Sequence, residues 1–441
     1  MALFGTDGVR GVAGVDLTKE LAHDLAVAAA HVLTYLGEFA GHKPKAVIAQ
    51  DSRESGAYLE EAIARGLSES GVDVIRIGVL PTPAVSYLVT DLKADLGVMI
   101  SASHNPASDN GIKFFARDGR KLADSVEAQV ESQLGKPWQP NGNLGVITFD
   151  ESARERYIKY LLATIHSDFK GLKIVVDCAN GAASFVAPEV LKRAGADVIA
   201  ISDQPNGKNI NENCGSTHLE GLIAKVKSEG ADLGIAHDGD ADRVLAIDHE
   251  GSVVDGDYIL GILADHTDLP TRKIVGTVMT NLGLIRALEG RGIGFEATPV
   301  GDRYVLEKML QEGHMLGGEQ SGHVIMRKFA ITGDGILTAL HLVSEVARSK
   351  KSLKQLASFM ERYPQILINV KGVDKARLNS NLVIKAKVAE IESELGSSGR
   401  VLLRASGTEP VIRVMIEAQS QDKAEGFASA LAALVKSELA L

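Results

Sequence analysis

Short apolar runs closed by polar residues alternate with longer amphipathic stretches through most of this chain. The first run is Lys45-Ala46-Val47-Ile48-Ala49-Gln50-Asp51. A helical stretch from Ala57 to Ser70 follows, then the run Val72 to Val79, a second helix, and the run Ala94 to Ile100. Uninterrupted apolar runs of this kind predict strands covered on both faces. The order strand, helix, strand, helix, strand predicts a parallel-type sheet with helices on its two faces.

That order recurs. Lys173 to Asp177 is a strand, Ala182 to Arg193 a helix, Ala196 to Ile201 a strand, and Ala231 to Ala236 the last strand of a second unit. Ala94-Asp95-Leu96-Gly97 is echoed by Ala231-Asp232-Leu233-Gly234, so the loops that follow leave equivalent strands. A fainter third copy runs through Lys273 to Met279, a helix from Leu282 to Gly290, Gly294 to Thr298, a helix around Tyr304 to Gln311, and His314 to Gly318. The tail departs from this plan. It has a strand at Gln365 to Val370, a helix from Asn381 to Leu395, a hairpin of Arg400 to Arg404 with Val411 to Ile416, and a closing helix from Asp422 to Leu439.

The expectation is three similar α/β units with mixed or parallel sheets and a smaller C-terminal α+β unit, arranged around a central cleft. The divisions fall at 1–149, 150–249, 250–364 and 365–441, and Gly135 to Gly142 reads as a surface loop before the first of them. A chain of 441 residues is long enough for three or four domains at about 100–150 residues each.

Composition narrows the function. The chain is 45% hydrophobic and 24% charged, with a formal net charge of −10, which argues against nonspecific nucleic-acid binding. Anionic ligands must then be held by local cations and backbone donors. The two cysteines, Cys178 and Cys214, form no Cys-x-x-Cys pair and fit a reducing compartment. The first residues lack the basic and apolar regions of a signal peptide, and the apolar window Leu25 to Ala40 is too short to span a bilayer. These features predict a soluble cytoplasmic protein.

Asp238-Gly239-Asp240-Ala241-Asp242-Arg243 places three carboxylates at alternate positions with small residues between them. Oxygen ligands without Cys or His favour magnesium or manganese over zinc. An EF-hand is excluded, because Arg243 and His249 stand where Gly and Glu are needed. A solvated acidic turn is the plainer alternative, but three Asp directly after a buried apolar strand are costly unless something neutralises them.

Ser101-Ala102-Ser103-His104-Asn105-Pro106 offers hydroxyls that could carry phosphate, though taken alone it could be a polar turn. Lys113 adds a cation nearby, and its plainer reading is an exposed lysine on a strand edge. Arg404-Ala405-Ser406-Gly407-Thr408-Glu409-Pro410 with Arg413 fits an anion-binding turn, in which backbone N–H groups and guanidinium forks match phosphate oxygens. Gly207-Lys208 lacks the rest of a P-loop, and Gly290 to Gly294 does not complete a dinucleotide fingerprint.

Four motifs in this order, Ser101 to Pro106, Asp238 to Arg243, Gly318 to His323 and Arg404 to Arg413, resemble those of the α-D-phosphohexomutase superfamily over essentially the whole chain. Phe4-Gly5-Thr6-Asp7-Gly8-Val9-Arg10-Gly11 and Gly318-Glu319-Gln320-Ser321-Gly322-His323 are most like its phosphoglucosamine mutase branch. Phosphomannomutase/phosphoglucomutase relatives usually carry Met or another residue at the place of Gln320.

The resemblance implies that Ser103 carries phosphate and that Asp238, Asp240 and Asp242 bind one Mg2+ per chain, with an oxygen of phosphorylated Ser103 as a further ligand. Glu319 and Ser321 would hold sugar hydroxyls, and Arg404, Ser406, Gly407, Thr408 and Arg413 the phosphate that is not reacting. Arg10, His104, Lys113, Arg243 and His323 would line the reacting end, with Lys113 and His323 both open as the general acid/base. The implied reaction interconverts glucosamine 6-phosphate and glucosamine 1-phosphate through a sugar bisphosphate intermediate, which can also serve as activator. It would serve amino sugar metabolism and UDP-N-acetylglucosamine biosynthesis. The partner is then a small phosphosugar, with neither nucleic acid nor membrane, and the resemblance leaves room for a homodimer. Mannose or glucose phosphate as substrate, a non-catalytic phosphosugar sensor, and a phosphatase with a transient serine nucleophile are the competing readings.

Overall fold

The computed structural model describes residues 3–5, 7–136, 138, 142–406 and 410–441. Gly407 and Thr408, and part of the loop expected from Gly135 to Gly142, lie outside the described residues. The strands fall into four sheets.

The first sheet contains β1 (Phe4–Gly5), β2 (Gly8–Val12), β3 (Lys45–Gln50), β4 (Asp73–Val79), β5 (Leu96–Ile100), β6 (Asp109–Ala116) and β7 (Ile147–Phe149), in the order β1-β2-β6-β5-β3-β4-β7. The second contains β8 (Lys173–Asp177), β9 (Asp197–Ile201), β10 (Leu233–His237), β11 (Val244–Asp248) and β12 (Val253–Val254), in the order β12-β11-β10-β8-β9. The third contains β13 (Lys273–Thr277), β14 (Gly294–Thr298), β15 (Leu316–Gly318) and β16 (Val324–Met326), in the order β14-β13-β15-β16. The C-terminal sheet pairs β17 (Gln365–Lys371), β19 (Val411–Ala418) and β18 (Gly399–Ala405) antiparallel, with β19 in the middle.

The first three sheets share one plan. A first strand, β3, β8 or β13, lies between two parallel neighbours. The last of those neighbours, β5, β10 or β15, then turns back into an antiparallel strand, β6, β11 or β16. These return strands make the sheets mixed. The serine loop, the aspartate loop and the loop from Gly318 to His323 are each the hairpin between a parallel strand and its return, so these three loops occupy equivalent positions at the carboxyl ends of strands, where ligands of open α/β sheets sit.

The local chemistry explains most elements. In β3 the four central residues are buried, as expected of a strand covered on both faces. Helix Lys19–Tyr35 starts at Thr18, whose hydroxyl accepts the Leu21 N–H, and it contains most of the apolar window beginning at Leu25. It packs closely on helix Gly56–Glu69 because Gly66 has no side chain; a Cβ there would stand 2.7 Å from the His23 carbonyl oxygen. The helix expected from Ala182 to Arg193 is broken into a 3-10 turn, Ala182–Phe185, and a helix, Ala187–Arg193. Pro188 sits in the first turn of the second piece, where a missing N–H costs nothing, and it cannot continue the helix from upstream.

One contiguous apolar core runs through the first three units, with Val47, Met99, Tyr157, Ile174, Ile235, Ile274 and Leu340 among its members. Burying each large aliphatic side chain in such a core contributes about 1.5–3 kcal/mol. The C-terminal unit has its own core of Ile384, Ile391, Ile412, Val414, Ile416 and Leu431. Among the described residues no helix is long and apolar enough to cross a membrane.

Candidate active site

The hairpin after β5 carries Ser103 and the hairpin after β10 carries the three aspartates. The Ser103 Oγ donates to Asp238 Oδ2 at 2.5 Å, joining two units 135 residues apart in sequence. Both loops hold a non-glycine residue in the left-handed region, Ser103 at φ 52° and Ala241 at φ 55°. That conformation costs about 1–2 kcal/mol for an L-residue and persists where surrounding contacts over-determine it.

Asp238, Asp240 and Asp242 are buried, and one oxygen of each lies within 4.8 Å of the others. Burial, then Asp242 and Asp240, push Asp238 well above the usual carboxylate range. Asp240 is held low instead: burial opposes its ionisation, but the Lys113 ammonium at 2.8 Å and the Thr82 hydroxyl at 2.6 Å outweigh it. The Asp240 Oδ1 and Asp242 Oδ1 are buried with no hydrogen-bond partner. Orphaned carboxylate oxygens are expensive in a protein interior, and an all-oxygen set of this kind suits a hard cation. Together the three residues can hold a metal ion.

The groups expected at the reacting end gather around it. His104 Nδ1 is 3.2 Å from the Ser103 Oγ and accepts from Arg243 Nη1 at 3.5 Å. Burial lowers the His104 pKa, and the charges of Arg243 and Arg10 lower it further. Arg10 itself pairs with Asp7. Lys113 is not an exposed edge lysine. Its strand β6 lies between β2 and β5, and its side chain is 1% exposed, with Nζ 2.8 Å from Asp240 and 3.0 Å from Asp7. Burial works against its charge, but Asp240 and Asp7 raise its pKa.

The third hairpin closes over the second. Val244 N–H donates to the Gly322 carbonyl at 3.1 Å, and Gly335 N–H to the Ala241 carbonyl at 3.0 Å. His323 Nε2 accepts the Gly333 N–H at 3.0 Å, which leaves Nδ1 facing Asp242 Oδ2 at 3.6 Å. Burial opposes protonation of His323, yet Asp242 and Asp302 raise its pKa. Glu319 accepts from Gly301 N–H at 3.0 Å and lies 3.5 Å from the Ser321 hydroxyl, near enough to raise the Arg243 pKa.

Arg404 and Arg413 belong to a sheet of their own. They are directly opposite in the register of β18 and β19, next to the buried Ser406. Burial and the Arg413 charge lower the Arg404 pKa, so two guanidinium groups stand close together on this sheet. Gly407 and Thr408 complete this turn in sequence but lie outside the described residues.

Other partners were not singled out from the sequence. Asp7 pairs with Lys113 and Lys121, and Lys121 donates to Asp302 at 2.7 Å, so alternating charges connect the first unit to the third. Thr82 donates its backbone N–H as well as its hydroxyl to Asp240, tying the start of helix Thr82–Asp91 to the aspartate loop. The one signal for Thr82 is its place just beyond the carboxyl end of β4.

Comparison with known proteins agrees with this geometry. The family described as phosphoglucomutase/phosphomannomutase matches in four parts: α/β/α domain I over residues 1–139, domain II over 155–251, domain III over 255–363 and the C-terminal domain over 367–434. The phosphoglucosamine mutase of Cutibacterium acnes is 55% identical over 448 residues, covering 100% of this chain and 99% of that protein. The phosphoglucosamine mutase of Thermobifida fusca is 55% identical over 445 residues, with the same coverage. A crystal structure of a phosphoglucomutase/phosphomannomutase family protein from Burkholderia thailandensis has the same fold, with a TM-score of 0.82 at 22% identity, covering 99% of this chain and 97% of that one. With four domain matches in order and relatives this similar along their whole length, the chain belongs to the phosphoglucomutase/phosphomannomutase family and, within it, to the phosphoglucosamine mutases.

Proposed function

We infer that this protein is an enzyme that interconverts glucosamine 6-phosphate and glucosamine 1-phosphate, with Ser103 as phosphate carrier and one Mg2+ held by Asp238, Asp240 and Asp242. The observation that carries this reading is the 2.5 Å contact between the Ser103 Oγ and Asp238 inside a buried carboxylate triad. A serine hydroxyl has no structural need to stand there, whereas a phosphorylated serine of charge about −1.5 to −2 needs a cation beside it. The metal, when bound, neutralises charge on the transferring group as a Lewis acid.

The chain's own residues supply the rest. In the forward direction the bond between phosphorus and the Ser103 Oγ breaks and a bond to the sugar 1-hydroxyl forms, its proton passing to a base in the cleft. The resulting bisphosphate turns over, and its 6-phosphate returns to Ser103. Arg243 and Arg10 spread the charge of the moving group. Lys113 and His323 are assigned to proton transfer. Lys113, kept as an ammonium by Asp240 and Asp7, suits the acid and charge-stabilising part.

Glu319 and Ser321 are assigned to sugar hydroxyls. Arg404, Ser406, Gly407, Thr408 and Arg413 are assigned to the distal phosphate, whichever end of the sugar that is. The divisions at 149, 249 and 364 then give each unit one of the four loops. A cytoplasmic setting, the sugar bisphosphate as intermediate and activator, and a homodimer belong to the same proposal.

Intact mass and steady-state rates test it. Purified protein should carry one phosphate that Ser103→Ala removes, and that variant should lose turnover. With Mg2+ present, kcat/KM should be highest for glucosamine phosphate among glucosamine, mannose and glucose phosphates, and chelation should abolish activity. Normal turnover by Ser103→Ala overturns the phosphoserine route, and a preference for mannose phosphate overturns the sugar assignment. Release of inorganic phosphate faster than isomer formation would make the protein a phosphatase.

A further inference from the structure

Two buried side chains that meet none of the metal-binding carboxylates converge on the backbone of the serine loop from opposite units. Arg53 follows β3 in the first unit, and its side chain is 0% exposed. Its Nε donates to Asp51 at 2.9 Å, its Nη1 to the carbonyl oxygens of Pro106 and of Asp109, the latter at 2.9 Å, and its Nη2 to those of Ser103 at 3.0 Å and Asn105 at 2.8 Å. All five N–H groups of the guanidinium are thereby used. Asn211 comes from the second unit, where its own N–H donates to the Ala179 carbonyl. Its Nδ2 donates to the same two carbonyls, Ser103 at 2.9 Å and Asn105 at 3.0 Å.

The other end of residue 103 is held as well. Its N–H donates to the Ser101 hydroxyl at 2.9 Å, and that hydroxyl donates to Asp51 at 2.6 Å. Every backbone polar group of Ser103 is therefore committed, and its left-handed conformation is forced by contacts on both sides.

We propose that Arg53 and Asn211 are positioning residues that grip the Ser103 carbonyl from two units and so fix the Ser103 Oγ against the Asp238 loop. The inference rests on the reading of Ser103 as phosphate carrier. The grip uses both lone pairs of one carbonyl, so loss of either donor frees the peptide to relax out of its strained geometry. The Oγ then swings away from Asp238. A lysine at 53 offers three donors from a single point and cannot reach carbonyls spread over 103–109. An alanine at 211 leaves Arg53 alone on the Ser103 carbonyl, and the second unit then holds the loop only through side chains, by Asp238 on the Ser103 Oγ and Arg243 on His104, with no grip on the backbone that sets the Oγ.

A purely structural role predicts something different. It lowers the amount of folded protein but leaves turnover per folded molecule intact. The test is steady-state kinetics of Asn211→Ala and Arg53→Lys, with kcat expressed per folded molecule from thermal melts and phosphoserine occupancy followed by intact mass. A displacement of about 1 Å in a reacting group can cost on the order of a hundredfold in rate. Asn211→Ala should therefore lose about ten- to a hundredfold in kcat, while KM for the sugar phosphate, set largely by the C-terminal arginines, changes by less than about threefold. Phosphoserine occupancy should fall in parallel.

An Asn211→Ala kcat per folded molecule within about twofold of wild type overturns the proposal, as does a kcat loss matched by an equal rise in KM. Arg53→Lys gives a second reading by the same criteria. Wild type and Ser103→Ala run alongside as controls. Turnover retained in Ser103→Ala would sink the phosphoserine reading itself. Wild-type turnover lost in Ser103→Ala but kept in Asn211→Ala would sink only the positioning role.

Discussion

Glu127 shows how the boundary between the first and third units responds to pH. It lies on helix Asp124–Gln133 with its carboxylate 3.1 Å from Arg303 of helix Asp302–Glu312. Burial raises its pKa to about 7, Lys121 pulls it down and Asp7 pushes it up. The folded state thus binds this proton more tightly than the unfolded chain, where a glutamate titrates near about 4.3. The stability linked to Glu127 is then complete below that value and is lost as pH rises through 7. Glu127→Gln, which stays neutral, should gain thermal midpoint relative to wild type on going from pH 5 to pH 8. A difference between the two proteins that stays flat over that range would show that the Arg303 pair, rather than burial, governs the carboxylate. At this scale the sequence displayed only what was contiguous. Asp238, Asp240 and Asp242 were legible because their spacing fits one loop, and Ser103 because its loop leaves an equivalent strand. Thr82, 158 residues from the Asp240 it binds, and Asn211, 108 from Ser103, obey no spacing rule. Lys113 was singled out as a cation near the serine loop, and the plainer reading of an edge lysine stayed open only because β2 was not recognised as the strand that covers its edge.

At the scale of elements, the parallel strands and their order could be read from apolar runs, while the return strands β6, β11 and β16 could not. Each follows its loop with little turn signal, and β16 has only three residues. Those returns convert each polar loop into a tight hairpin, and tightness imposes steric demands that composition hides. Gly239 illustrates this. A Cβ there would stand 2.5 Å from the Ser103 carbonyl oxygen, 2.9 Å from Ile210 Cδ1 and 3.0 Å from Asn211 Nδ2. Two of these neighbours belong to the grip on the serine loop, so Gly239→Ala has to push the two loops apart. It should lower kcat by about a hundredfold in soluble, folded protein. Gly221, on helix Glu220–Glu229, has nothing within 4 Å of the corresponding position. Gly221→Ala should leave kcat unchanged and add about 0.5 kcal/mol of stability, because alanine gives up less backbone freedom on folding. Equal activity in the two variants would show that the hairpins have room to spare.

For the whole molecule, the decisive contrast is one shared core for three units against a separate core for the fourth. The sequence already separated the tail by its antiparallel pattern, but nothing in it indicated how the tail is docked. The tie is polar and centred on Glu417, which is fully buried. Its Oε2 receives Arg400 Nε, and its Oε1 receives the Leu282 N–H at 3.3 Å and Gln365 Nε2 at 3.2 Å. Arg400 also reaches the Thr280 carbonyl, and Gln365 Nε2 donates to the Met279 carbonyl at 3.2 Å. Burial raises the Glu417 pKa although Arg400 opposes the shift, so the carboxylate is held at some cost for the sake of the tie. Polar ties of this sort can be remade in more than one arrangement, which suits the role proposed for this unit's arginines at either end of the sugar. Glu417→Ala removes the common acceptor, leaves Arg400 with the Thr280 carbonyl alone and strands the Leu282 N–H, at about 1–3 kcal/mol for a buried group left unpaired. The C-terminal unit keeps its own core and should stay folded while its docking loosens. Small-angle scattering should report a larger radius of gyration without substrate, and KM should rise by about tenfold, since closing the cleft must now be driven by substrate binding. The melting of the first three units should be unchanged because no residue of their core is touched. Unchanged scattering together with an unchanged KM would mean that the apolar neighbours of Glu417 hold the unit in place.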